Sequence, residues 1–390
     1  MHKAQILFAG LAIMLCASAS VAGPVPPMGE YWYDWMGNTP AGTYSETECG
    51  QMTATSNSLA FTYVNSDGSG VSNETLSFTG TSFDSQGYLV FHAAEGDLKV
   101  AANNHIAIPL TNTSDETNTL PLALITPKAP GLTEADIAGN YAYFNQNFQV
   151  ASQGGDFSIG TAAFTQGTAN SFSVNHQTVG SWGESSGSDA GEWSLDSANA
   201  TVTLSWPGTS DPDQAWHVAE GGLMIGTWVD TAADDVQIGL LVKKGVGRTA
   251  AEAAGTYLLQ GFLSNDTYDE VWANWGTLDI GDDGTWTATV SATTGLMDEV
   301  STGTFTLDDD GTIHLLDGTS GTTFDGVLNL DSDLIVLGCM NQEGSLGYMF
   351  AVRPVPEPTS LGLLAVGGLL MLRRRQRAGT IQQVGGTNAS

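Results

Sequence analysis

The stretch Thr133-Glu134-Ala135-Asp136-Ile137-Ala138-Gly139-Asn140-Tyr141 returns as Thr249-Ala250-Ala251-Glu252-Ala253-Ala254-Gly255-Thr256-Tyr257, with every position displaced by 116. Upstream, Lys128 and Gly131 carry the same register onto Lys244 and Gly247. One offset held over that span marks a duplicated unit rather than chance composition. A second anchor reaches an earlier copy: Phe91, His92, Ala94, Glu95, Gly96 and Leu98 match Trp216, His217, Ala219, Glu220, Gly221 and Leu223 at an offset of 125, and Asp331, Ser332 and Asp333 are read as the corresponding turn of a later copy. The chain therefore reads as three tandem repeats of about 105–116 residues, at 28–131, 132–247 and 248–354. The first repeat opens at Gly29 and Tyr31 or at Gly42 and Tyr44. Each repeat closes on an apolar run, Leu120–Ile125, Ile238–Val242 and Tyr348–Val352, followed by Lys or Arg.

Within the third repeat, short alternating runs are separated by Gly, Asp, Asn and Ser clusters, the pattern of an antiparallel meander. Strands are expected near Thr256–Leu263, Trp275–Ile280, Thr285–Ser291, Ser301–Leu307, Thr312–Leu316, Phe324–Leu330, Leu334–Cys339 and Gly347–Val352. Gly281-Asp282-Asp283-Gly284 and Asp309-Asp310-Gly311 supply the positive-φ residues of tight hairpins. The fold class is all-β, each repeat an eight-stranded antiparallel meander barrel, because closure removes exposed sheet edges. The alternative is a six-bladed propeller with two blades per repeat. The glycine-and-aromatic opening followed by a meander resembles the lipocalin-like and other calycin barrels.

The two ends carry a different grammar. His2 and Lys3 precede an apolar run, Ile6–Cys16, and then small residues with Ser20 and Ala22 at the positions a signal peptidase reads, so cleavage is expected between Ala22 and Gly23. Leu15 is too bulky for the small residue that usually precedes a lipidated cysteine such as Cys16. At the far end, Val355-Pro356-Glu357-Pro358 leads into an apolar run at 359–372 and then Arg373, Arg374, Arg375 and Arg377. Proline keeps the approach extended and open to an enzyme, and the arginines hold the far side of the run at the cytoplasmic face. With 14 residues the run is short for a permanent span, which favours a transient anchor.

This tail, at 355–377, resembles the PEP-CTERM sorting signal of Gram-negative bacteria, also called an ice-binding protein C-terminal domain. The resemblance implies an exosortase-like processing enzyme acting near Pro356, Glu357 and Pro358, besides signal peptidase, with release to the cell surface or outside. Residues 378–390 extend beyond the usual stop after the arginines.

The 390-residue chain has a formal charge of −31, and between Gly23 and Pro354 only Lys99, Lys128, Lys243, Lys244, Arg248 and Arg353 stand against 41 acids. Binding a polyphosphate needs clustered bases, so nucleic acid is excluded as a partner. Ten Trp and fourteen Phe exclude a disordered acidic chain. Such acidity reads as a solvating surface. Cys49 and Cys339 allow a single internal pairing and define no disulfide framework.

No catalytic, metal or cofactor motif stands out. His92 and His217 sit at equivalent anchor positions where the third repeat has Leu328 or Asn329, so a shared role in a metal or catalytic site is not expected. His105, His176 and His314 lack zinc-helix spacing. Asp308-Asp309-Asp310-Gly311 fails the calcium-loop pattern, since Ile313 holds the sixth position, and reads as a hairpin turn. Gly183-Glu184-Ser185-Ser186-Gly187 has the spelling of a nucleophile elbow but no helix signal after it, and reads as a flexible loop. Tyr31, Tyr33 and Trp35 alternate onto one strand face with Trp32 opposite, and core packing is expected of them. Trp272 and Trp275 are the candidate ligand contacts.

The expected role is that of a noncatalytic exported surface or matrix protein whose units act as spacers or weak adhesive modules in an exopolysaccharide setting. The alternative is a module binding carbohydrate through exposed aromatics or a small apolar molecule inside a barrel. Ice binding would need a flat array of Thr-x-Thr pairs, and Thr53/Thr55, Thr201/Thr203 and Thr287/Thr289 are scattered.

Overall fold

A computed structural model describes residues 29–354 except 39–44, 56, 66–70, 94–95, 104–105, 110–119, 130, 150–153, 182, 209–211, 231–234, 265–270, 293–298 and 341–345. The expected signal cleavage point and the whole sorting tail, with Pro356, Glu357, Pro358 and the arginine cluster, lie outside the described residues.

Three eight-stranded antiparallel barrels follow one another along the chain. Barrel 1 contains β1 (Gly29–Asn38), β2 (Ser45–Ala54), β3 (Ser58–Asn65), β4 (Val71–Phe83), β5 (Leu89–Ala93), β6 (Gly96–Ala102), β7 (Ala107–Pro109) and β8 (Leu120–Pro127). Barrel 2 contains β9 (Gly139–Gln149), β10 (Gly154–Thr165), β11 (Ser171–Gly180), β12 (Gly183–Asp196), β13 (Thr201–Ser205), β14 (Gln214–Ala219), β15 (Leu223–Asp230) and β16 (Asp235–Lys243). Barrel 3 contains β17 (Gly255–Ser264), β18 (Val271–Ile280), β19 (Thr285–Ala292), β20 (Glu299–Leu307), β21 (Thr312–Asp317), β22 (Thr323–Leu328), β23 (Leu334–Met340) and β24 (Leu346–Val352).

In each barrel the first strand pairs antiparallel with the last, β1 with β8, β9 with β16 and β17 with β24. That closure replaces the propeller alternative, whose blades would leave first and last strands of each repeat in separate sheets. Barrels 2 and 3 close through full ladders, whereas barrel 1 is joined between β7 and β8 by the single pair Ala107 and Ile125.

The duplicated motif is the seal of barrels 2 and 3. Glu134–Ile137 (α1) and Ala250–Ala253 (α2) form one helical turn each, immediately ahead of the first strand. Thr133 donates its backbone N–H to the Asp136 carboxylate at 2.8 Å, and Thr249 does the same to Glu252 at 2.8 Å, which starts both turns with a capping box. The tyrosine two residues past the glycine then reaches back: Tyr141 Oη donates to the Ile137 carbonyl at 2.6 Å and Tyr257 Oη to the Ala253 carbonyl at 2.8 Å. A basic residue ending the last strand completes the seal, Lys243 donating to the Asp136 carbonyl and Arg353 to those of Glu252 and Ala254. Gly139 and Gly255 turn the chain with φ of +142° and +147°. That positive φ strains any L side chain, which is why glycine recurs there.

Side chains fill the barrels. Barrel 3 packs Leu259, Leu278, Trp286, Phe305, Ile313 and Leu337 inward, barrel 2 packs Tyr141, Phe164, Phe172, Trp193 and Trp216, and barrel 1 packs Tyr31, Met52, Leu59, Phe78 and Phe91. The alternation in β1 holds as expected, with Tyr31 and Tyr33 in the barrel 1 core and Trp32 facing out; the side chain of Trp35 is outside the described set.

A fourth core lies outside all three barrels and joins them. Leu122 and Leu124 of barrel 1, Phe144, Ile238 and Leu240 of barrel 2, and Phe262, Val336, Tyr348 and Phe350 of barrel 3 belong to one buried cluster. β1 and β2 pack on β15 and β16, β10 on β24, and β17 and β18 on β6 and β8. Each barrel thus presents its opening side to the closing side of the next, and the third returns to the first, a head-to-tail ring of three. The barrels form one compact unit, Val25–Pro354. Independent spacers strung along the chain are therefore not what this sequence makes. The closing strands are apolar on both faces because one face fills their own barrel and the other fills the ring.

Two further readings change. His92 lies on β5, the fifth strand of barrel 1, and His217 on β14, the sixth of barrel 2, so the anchor at offset 125 is displaced by one strand. The repeat that does survive in space is Asp84, Asp196 and Asp308, spaced by 112, Asp196 ending the fourth strand of its barrel and the other two following theirs directly. Gly183–Gly187 is no loop: it opens the long exposed strand β12, paired residue for residue with β11.

Candidate functional site: the groove between barrels 2 and 3

A groove of about 430 Å³ runs between the outer wall of barrel 2 and that of barrel 3. Strand alternation decides its lining. With Phe164 and Phe172 pointing into barrel 2, residues one step out of phase point outward, and these are Thr161 on β10, Asn175 and Gln177 on β11 and Ser186 on β12. Barrel 3 contributes Thr312 and His314 on β21 and Asp325 on β22. Phe144 and Ile159, from the shared core, make an apolar floor.

The charged groups in the groove are paired. His314 Nδ1 sits 2.6 Å from Asp325 Oδ1, and its Nε2 is 3.7 Å from Asp308 Oδ2. Lys244, at the end of the barrel 2 ladder, donates to Asp310 Oδ2 and to Thr312 Oγ1, each at 2.8 Å. Burial would push the Asp310 carboxyl up, but the bonds from Lys244 and Thr312 outweigh it and hold the group at about 2. Asp308–Gly311 is thus the hairpin turn expected, and its acids bind groups of the protein itself. Among the described residues no cluster of three or more His, Cys, Asp or Glu could hold a metal.

The other sequence candidates fall elsewhere. Trp275 is half-buried on β18, opposite Gln260 on the outer face of barrel 3. The side chain of Trp272 is not described. His92 Nε2 lies 2.9 Å from Ser82 Oγ, His105 is outside the described residues, and the two cysteines lie in different barrels, not bridged to one another.

His217 has a partner that no spacing or motif announces. Its Nδ1 is 3.0 Å from the fully buried carboxylate of Asp34 in barrel 1, and its ring stacks on Trp32 at 3.9 Å with planes 2° apart. Lys128 covers the Trp32 ring at 4.3 Å, and Thr227 Oγ1 donates to Asp34 at 3.4 Å. Burial, reinforced by Asp34 and opposed by a bond with Thr227, pushes the nearby Cys49 thiol up. This cluster is a joint between barrels 1 and 2.

A second cleft of about 440 Å³ lies where α1, the turn at Glu220–Gly222 and Leu330–Asp331 meet, with Lys243 in its wall. Burial lowers the Lys243 ammonium, opposed by Asp136. That lysine is already engaged in sealing barrel 2.

Residues 354–376 match the PEP-CTERM protein-sorting motif. The tail is a PEP-CTERM sorting signal. PEP-CTERM tails mark exported proteins for exosortase at the cell surface. No curated protein matches the chain. Among solved structures, a protein of unknown function from the DUF3598 family of Nostoc punctiforme is 12% identical, covering 55% of this chain and 95% of its own, with a TM-score of 0.20. Transferrin binding protein B of Haemophilus parasuis is 9% identical over 85% of this chain and 76% of its own, at 0.28, and that of Neisseria meningitidis serogroup B is 9% identical over 85% and 77%, at 0.25. Likeness at that level carries no argument about function.

Proposed function

We propose that this is an exported, noncatalytic cell-surface or extracellular-matrix protein that holds exopolysaccharide in the groove between barrels 2 and 3. The PEP-CTERM tail supports the destination, and the groove's composition supports the ligand. Asn175, Gln177 and Asp325 are planar polar groups that pair with vicinal sugar hydroxyls, Thr161 and Thr312 add hydroxyls, and the partly exposed Ile159 takes an apolar sugar face. The apolar packing inside barrel 3 and the α1 end of barrel 2 counts against an internal apolar ligand. In ice binding, Thr53, Thr201 and Thr287 would share a plane, yet they stand on strands of three different barrels.

The test is a glycan array probed with residues 23–354. Binding is expected, falling at least tenfold in Asn175→Ala and His314→Ala while Trp275→Ala is unchanged; loss in Trp275→Ala alone would move the site to barrel 3, and no signal on any glycan would remove the reading. Processing is tested separately. Transient anchoring at 359–372 and release near Pro356, Glu357 and Pro358 require that Glu357→Ala keep its tail, so an unchanged mature mass in that variant would contradict it.

A further inference from the structure

Barrel 2 is built in two halves. Near α1 its lumen is a packed aromatic core, but farther along the same inward face the residues turn polar: Tyr143, Asn145 and Asn147 on β9, Asp156 and Ser158 on β10, His176 on β11. A strand that keeps its inward phase while exchanging tyrosine for amide departs from what a stable core wants, and such departures cluster at functional positions. Internal bonds account for part of the cluster. Asn145 Nδ2 donates to Gln237 at 3.1 Å, Asn147 Nδ2 donates to Asp156 at 3.3 Å, and Ser158 Oγ lies 2.7 Å from Thr178 Oγ1.

Three buried atoms in the same half are left over: Asn145 Oδ1, Asn147 Oδ1 and His176 Nδ1 have no hydrogen-bond partner. Asn145 and Asn147 are 6% and 7% exposed, so bulk solvent does not serve them. His176 lies against Gly187, where a Cβ would meet its Nε2 at 2.8 Å, so glycine lets the ring lie along the wall. Its Nδ1 is 3.8 Å from Asp189 Oδ2, beyond hydrogen-bond reach.

The chemistry of the set is lopsided. Two unserved amide oxygens and the Asp156 carboxylate accept hydrogen bonds, the Asp189 carboxylate lies exposed at the rim, and among the described residues no Lys or Arg points into this half of the lumen. Tyr143 and Trp228 add aromatic faces. Both carboxylates act on the Tyr143 hydroxyl, which burial already pushes up. Acceptors, negative charge and rings together are the surroundings an ammonium group takes.

We propose that the polar half of barrel 2 is a binding site for a small organic ammonium ion, held by Asn145, Asn147 and Asp156 beside His176. Asn145, Asn147 and Asp156 do not line the groove, and His176 stands at the border between the two.

Isothermal titration of residues 23–354 with putrescine tests this at 150 mM salt, with calcium and the neutral polyol erythritol as comparison probes. One putrescine per chain is expected, with affinity lowered at least tenfold in Asp156→Asn and in Asn147→Leu and unchanged in the groove variant Asp325→Asn. The His176 imidazole proton resonances should shift on saturation in the parent. Circular dichroism checks that each variant is folded, and the near-isosteric Asp156→Asn carries the test if Asn147→Leu is not. Absence of putrescine binding, binding indifferent to both lumen variants, or equal binding of calcium or erythritol at the same residues would each overturn the proposal.

Discussion

At Gln146 the side chain is fully buried and neither its amide nitrogen nor its amide oxygen has a partner. It points out of barrel 2, in phase with Phe144 and Phe148, into the core the barrels share. An unmet buried amide costs roughly 1–3 kcal/mol. Gln146→Leu is therefore expected to raise stability by about that amount, read as a higher denaturant midpoint at unchanged slope; a lower midpoint would show that the amide is served. Asp34 is the opposite case, a buried carboxylate that does have its partners. Removing one member of such a pair leaves a charge in the interior, at roughly 3–5 kcal/mol. His217→Ala should lower the midpoint by that order, and Asp34→Asn should recover part of the loss in the same chain. Additive losses in that double-mutant cycle would mean that the two groups do not interact.

At the scale of elements, the Asp308–Gly311 turn ties β20 and β21 to the end of β16 through Lys244 and Asp310. The Asp310 carboxyl is held at about 2 in the folded protein, below its ordinary 3.8. A depressed carboxyl contributes stability that is present above the unfolded value and lost as pH falls through the folded one. This contribution should therefore be intact above about pH 4 and disappear toward pH 2. The Asp310→Asn chain should show a flatter stability profile between those limits, and a profile identical to the parent's would mean that the carboxylate does not sense Lys244. The turns also show what the sequence made legible. The strand pattern of the third barrel is open to direct reading, because each strand alternates and each hairpin carries Gly or Asp; all eight expected strands are present, though β22 stops at Leu328 and Asn329 joins the following turn. The Gly183–Gly187 segment misled because strand β12 opens with small and polar residues exposed on both faces, so no alternation announces it. The histidine anchor misled because two hairpins in neighbouring strand positions share a similar spelling, whereas the aspartate spaced by 112 marked the same joint in all three barrels.

For the whole molecule, the shared core couples the barrels. Tyr348 Oη donates to the Ile238 carbonyl at 2.7 Å between barrels 3 and 2, and the Tyr88 hydroxyl of barrel 1 accepts the Gly276 N–H of barrel 3 at 3.0 Å. With large apolar faces buried between them, the barrels should unfold in one transition, so calorimetry of residues 23–354 is expected to give a single peak whose calorimetric and van't Hoff enthalpies agree. Three resolved peaks would mean that the ring is a loose association. Sequence by itself determined the PEP-CTERM address, the acidic surface, the strand composition and the repetition, since each is a local or periodic property of the chain. Only the tertiary structure decided that the repeats close as barrels, that the barrels close as a ring, and that His176 stands at the border between the groove and the polar lumen. The reason is that outward-facing apolar residues do not name their partner: the period of two says which residues share a face, and only packing between distant segments says what that face meets.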